Sequence, residues 1–100
     1  MKPFTKESDF QKWANETLTK LGVHFYHISS KNKYVRRGIL DLTCFYRGIT
    51  FVIELKVGNN NLSEEQEAER DKLIFHGIPV YVCYTQDEFM KVLSAMNVIK

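Results

Sequence analysis

The stretch GILDLTCFYRGITFVIELKVG, residues 38–58, sets a carboxylate and an ammonium, Glu54 and Lys56, inside a run that otherwise reads as a strand bound for a core. Another acid, Asp41, stands thirteen residues earlier. Strand side chains alternate, so Thr50, Val52, Glu54 and Lys56 share one face, and Phe51, Ile53, Leu55 and Val57 the other. If Arg47-Gly48 forms a two-residue turn, Tyr46 opposes Ile49 and Asp41 lies directly opposite Glu54. Directly opposed residues of an antiparallel pair have Cβ atoms about 4.5–5.5 Å apart, and like charges there destabilise a sheet. A divalent cation between them reverses the sign of that interaction. Carboxylate oxygens are also the ligands that hard ions such as Mg²⁺ prefer. The pair reads as a metal site.

Two further groups turn toward it. At about 100° per residue, Glu7 falls between Ala14 and Leu18 on the apolar stripe of a first helix, while Glu16 points to the opposite side. A carboxylate aimed at the core needs a partner. Gln66 lies near the line of Leu62 and Leu73 and turns inward as well. Glu7, Asp41, Glu54, Lys56 and Gln66 therefore converge on one edge of a sheet. Plainer readings stand beside each. Glu7 in a first turn favours the helix dipole, Asp41 ends a loop, and Glu54 with Lys56 makes a cross-strand ion pair on a solvated face. A lone E-x-K is common and carries little weight. The combination G-x-x-D, a short hairpin, hydrophobic-E-x-K, and L-S-x-x-Q opening a helix is far more specific.

The elements that must position these groups follow from local pattern. Residues 5–21 predict a helix with Phe10, Trp13, Ala14, Thr17, Leu18 and Leu21 on one stripe, ended by Gly22. Residues 23–28 form a short strand. Residues 29–38, SSKNKYVRRG, form a basic loop. Strands at about 40–46 and 49–57 flank the Arg47-Gly48 turn. Ser63 caps a helix with Gln66 completing a capping box, Gly77 closes it, and IPVYVCY is a buried strand. Thr85 with Glu88 makes a second capping box and opens a last helix to about Ala95. Strand, helix and strand over 49–84 have the length of a right-handed parallel crossover. The whole is an α/β fold: a mixed sheet of about four strands with helices on its faces.

The bulk composition sets bounds. One hundred residues without a composition break make one domain, 1–100. Hydrophobic residues at 44%, with 13% aromatics, supply one modest core. A net charge of +2 is too small to argue nucleic-acid binding by itself. Its distribution argues more: Lys31, Lys33, Arg36 and Arg37 place four cations in seven residues, a candidate for phosphate tracking, although a solvated loop explains such a run as well. Cys44 and Cys83 sit in apolar runs and read as free thiols of a reducing compartment. No apolar leader and no run of transmembrane length is visible, so the expectation is an intracellular, cytoplasmic protein without a membrane partner. His24 and His27, three apart on a strand, point to opposite faces, which suits neither zinc nor an acid–base pair. Tyr26, Tyr34 and Tyr46 are candidates for stacking on bases, though packing is the commoner use on strands. The apolar end of the last helix (Val92, Leu93, Met96, Val98, Ile99) exceeds what one sheet needs and suggests a homodimer.

GILDLTCF…FVIELKVGNNNLSEEQEAERDKLIFHGIPVYV, preceded by KESDFQKWANETLTKLG, resembles the virus-type replication-repair nuclease (VRR-NUC) domain of the PD-(D/E)XK nuclease superfamily over nearly the whole chain. The resemblance implies a restriction-endonuclease-like αβββαβ core. It implies Glu7, Asp41, Glu54 and Lys56 as the catalytic set, with Gln66 as accessory. Leu40 departs from the family's frequent proline before the aspartate, which changes loop stiffness but no ligand. By the same resemblance, Asp41, Glu54 and the Leu55 backbone carbonyl hold one Mg²⁺ or Mn²⁺, and Glu7 adds a ligand, through water or to a second ion. Lys56 positions or deprotonates the attacking water, and Gln66 orients a water or the scissile phosphate. The implied activity is structure-selective DNA endonuclease cleavage at branched DNA such as four-way (Holliday) junctions. Single-domain members resemble phage-encoded homodimers that act in DNA repair within a bacterial host. Two other readings compete: a non-catalytic DNA-binding or anti-host protein that keeps this fold, and a small dimeric interaction domain with an exposed, metal-free acidic cluster.

Overall fold

The computed structural model describes residues 3–28 and 38–100. In chain order its elements are α1 (Glu7–Lys20), β1 (His24–His27), β2 (Leu42–Tyr46), β3 (Ile49–Leu55), α2 (Glu64–Phe75), β4 (Val80–Cys83) and α3 (Gln86–Ala95). This is the expected order, with ends trimmed by a residue or two. The four strands make one mixed sheet in the order β1-β2-β3-β4, antiparallel except for the parallel β3/β4 pair that α2 connects.

The hairpin turn sets the register. Arg47 and Gly48 both take positive φ, 46° and 84°, as a two-residue turn matched to strand twist requires. Tyr46 consequently opposes Ile49, and the pairing runs on to Leu42 opposite Ile53. The next step would be Asp41 opposite Glu54. On the other side, His24 opposes Phe45 and His27 opposes Leu42, and the Ile28 N–H donates to the Asp41 carbonyl at 3.1 Å. Since opposed residues share a face, one face carries three rows: Ile28, Asp41 and Glu54; Tyr26, Thr43 and Val52; His24, Phe45 and Thr50.

The other face builds the core. Helix α1 presents Phe10, Ala14 and Leu18, and α3 presents Phe89, Val92 and Leu93; all are buried, against Phe51, Ile53 and Leu55. The acids Glu7 and Asp9 in the first turn of α1 and Lys20 in its last suit the helix dipole. The Thr85 hydroxyl accepts from the Glu88 N–H, but the Glu88 carboxylate reaches back to the Tyr84 N–H at 2.6 Å, one residue before the cap. Met96, Val98 and Ile99 pack on this same core. The apolar end that suggested a dimer is thus used in part within the chain, with Met96, Val98 and Ile99 still half-exposed. Cys44 and Cys83 are buried free thiols, and burial pushes both up to about 12, which keeps them protonated and inert. No helix among the described residues is long and apolar enough to cross a membrane.

Candidate active site

Beyond the last backbone pair of the hairpin, side chains continue the ladder. Glu54 Oε1 accepts from the Asp41 N–H at 2.8 Å, and Asp41 Oδ2 accepts from the Leu55 N–H at 3.0 Å. Each acid is therefore held by the other's strand, which locks their mutual position. Glu54 Oε2 accepts from Gln66 Nε2 at 3.1 Å and lies 3.4 Å from Lys56 Nζ. Glu54 is only 2% exposed, the one carboxylate buried among the described residues.

Helix α2 supplies Gln66 through its cap. The Ser63 hydroxyl accepts from the Gln66 N–H at 3.1 Å, and Gln66 Oε1 accepts from the Ser63 N–H at 3.0 Å. With the amide oxygen thus engaged, only the NH₂ is left to face Glu54. A glutamate completes a capping box equally well, but it would place another carboxylate against Glu54. The capping box is legible in the sequence; that it aims the Gln66 amide is visible only in the fold.

Glu7 approaches from the start of α1, on an exposed side chain. Glu7, Asp41 and Glu54 each bring a carboxylate oxygen within 4.8 Å of the others. Desolvation, and next the charge of Asp41, push Glu54 up from the ordinary 4.5 to about 7. Burial raises Asp41 too, opposed by the Leu55 N–H. Three carboxyl groups with one ammonium beside them, in a place that runs from exposed at Glu7 to buried at Glu54, carry surplus negative charge once ionised. An all-oxygen donor set with that surplus charge fits a hard divalent cation. The five residues expected to converge, Glu7, Asp41, Glu54, Lys56 and Gln66, do so. Lys31, Lys33, Arg36, Arg37 and Tyr34 lie outside the described residues.

One positioning contact carries no sequence signal beyond a glycine. Gly38 has φ +92°, and a Cβ there would lie 2.5 Å from the Glu65 carbonyl oxygen in the first turn of α2. The backbone leading to Asp41 is thereby pressed against the turn that carries Gln66. Only glycine permits both the conformation and the approach.

No family model and no curated protein matches the chain. Among solved structures, one described as a VRR_NUC domain is similar over 91% of this chain and 97% of that chain, with a TM-score of 0.74 and 27% sequence identity.

Proposed function

From the likeness of the chain to a VRR_NUC domain over 91% of its length, we propose that it is a VRR-NUC nuclease domain, a divalent-metal-dependent DNA endonuclease acting on branched substrates such as four-way junctions. The observation that carries this reading is the meeting of the Glu7, Asp41 and Glu54 carboxylates within 4.8 Å, with Lys56 Nζ 3.4 Å from Glu54. Asp41, Glu54 and the Leu55 carbonyl would hold Mg²⁺ or Mn²⁺, with Glu7 joining directly or through water. Leu55 directs its N–H at Asp41, and a strand residue turns its C=O to the same side. When bound, such an ion supplies Lewis-acid charge for the phosphate and a more acidic water.

The chain's own groups do the rest. Lys56 donates from Nζ to the attacking water or to a phosphate oxygen and so stabilises negative charge as it develops. Gln66 holds Glu54 Oε2 in place, which keeps the carboxylate facing Asp41. The basic segment with Lys31, Lys33, Arg36 and Arg37 tracks the DNA backbone. A homodimer belongs to this reading on functional grounds, because resolving a junction takes two cuts and a twofold pair of sites supplies both.

Cleavage of a matched panel (four-way junction, flap, splayed duplex, plain duplex, single strand) with Mg²⁺, with Mn²⁺ and with EDTA tests the proposal. Glu54→Ala and Asp41→Ala should abolish cleavage and calorimetric Mn²⁺ binding while the protein stays folded. Undiminished cleavage in either variant removes the site assignment. Light scattering at micromolar concentration decides the assembly, and junction cleavage by a monomer would refute the dimer.

A further inference from the structure

The sheet face that holds the acids does not end with them. One row along it stands Tyr26, 56% exposed, among the few large apolar side chains that the described residues leave in solvent. Tyr26 pairs with Thr43, so Asp41 is its diagonal neighbour, about 7–8 Å away. His24 and Phe45 flank it on the same face. The three rings touch one another at centroid distances of 5.3 Å (His24–Tyr26), 5.8 Å (His24–Phe45) and 5.6 Å (Tyr26–Phe45). The Tyr26 ring meets both neighbours near edge-on, at 75° and 74°. That geometry is favourable for aromatic rings and supports the Tyr26 ring from two sides.

Burial does not account for this group. Phe25, between the two exposed rings, turns to the core side and packs there, whereas His24 and Tyr26 lie on an edge strand facing water. Beside them the same face dips into a hollow of about 180 Å³ floored by Thr43, Thr50 and Val52. Arg47 is exposed at the turn beyond the third row, a cation at the same end of the strands. An exposed, mutually braced aromatic group one row from a phosphate-cleaving site has the chemistry that recognises a nucleobase. Every base has a π-face, and stacking needs no sequence-specific hydrogen bond.

We propose that Tyr26, braced by His24 and Phe45, is a stacking platform for an unpaired base next to the scissile phosphate, so that the protein selects DNA with an unstacked nucleotide beside the cut. The proposal rests on the reading that Glu7, Asp41 and Glu54 form the hydrolytic site. A fully paired base is shielded by its neighbours in the duplex; an unpaired one at a junction or flap reaches the ring at little cost.

The test uses DNA carrying the fluorescent base 2-aminopurine at an unpaired position or within plain duplex, bound in EDTA so that no cleavage intervenes. Wild type and Tyr26→Phe should quench the unpaired probe. Tyr26→Ala should lose the quench and bind the unpaired DNA about ten- to a hundredfold more weakly, with duplex binding unchanged. Equal quenching by Tyr26→Ala, or an equal loss on both DNAs, overturns the platform. A wild-type dimer that Tyr26→Ala splits into monomers, seen by light scattering, would make this face an interface between copies and overturns it too. Cleavage by Glu54→Ala would break the hydrolytic reading by itself. Loss of the Tyr26 effect alone, with cleavage still dependent on Glu54, breaks only the platform.

Discussion

The two faces of the sheet are built on opposite principles. On the α1/α3 face, Phe10, Phe51, Phe89 and Leu93 are fully buried, and Phe10, Trp13 and Phe89 form a mutually touching aromatic cluster with centroids 5.3–6.5 Å apart. On the other face, α2 buries a single side chain, and that residue is Gln66. Its far end leaves Ile74 53% and Phe75 84% exposed. Apolar burial stabilises a domain by its area, without regard to direction. The α2 face gives up that stabilisation and encloses a carboxylate whose ionisation opposes folding. One face holds the protein together; the other holds an unfavourable charge arrangement in place.

Four changes break or sharpen this contrast. The largest effect is expected from Phe89→Ala, which removes an aromatic ring from the closed face. It should cost about 3–5 kcal/mol, a large share of the roughly 5–15 kcal/mol that such domains possess. Urea titration measures it, and a loss below about 1 kcal/mol would mean the face is not close-packed.

Next comes pH in the absence of metal. Between 4.5 and about 7 the folded protein keeps a proton on Glu54 that the unfolded chain releases. Stability from this group is therefore fully present below about 4.5 and is lost as pH rises through about 7, a total of about 3 kcal/mol. Denaturation in EDTA should show lower stability at pH 8 than at pH 5, and Glu54→Gln should flatten the difference. Adding Mg²⁺ or Mn²⁺ should stabilise more at pH 8 than at pH 5, because the ion binds the ionised acids. A rise in stability from pH 5 to pH 8 without metal would show that Lys56 already compensates the charge.

Gly38→Ala should come third. It combines a positive φ with a Cβ aimed at the Glu65 carbonyl, costing about 1–3 kcal/mol. Because Asp41 is three residues on, Mn²⁺ affinity should fall with it. Unchanged Mn²⁺ binding in a destabilised variant would separate the glycine from the site. The smallest effect belongs to Ser63→Ala, about 1 kcal/mol for a lost helix cap. Its N–H still holds Gln66 Oε1, so cleavage should drop less than in Gln66→Ala. Equal drops would place the whole aim of the amide in the hydroxyl.

What could be read in advance is set by how far local geometry reaches. Strand alternation and a two-residue turn are short-range rules, and together they fix which residue faces which across the hairpin. Asp41 and Glu54 were therefore legible as a pair, as were Glu7 by helical period and Gln66 by the capping box. No local rule relates β1 to β2, because the long connection 29–37 leaves their register open; the row that sets Tyr26 beside Asp41 exists only once those strands pair. The approach of Gly38 to Glu65, the orientation of the Gln66 amide, and the use of Met96, Val98 and Ile99 on the chain's own core are likewise decided by packing between segments distant in sequence. The sequence by itself determined the chemistry of the acids and their spacing along each element. Tertiary structure alone decided the burial of Glu54, and so its pKa, because desolvation depends on what surrounds a group in space and not on its neighbours along the chain.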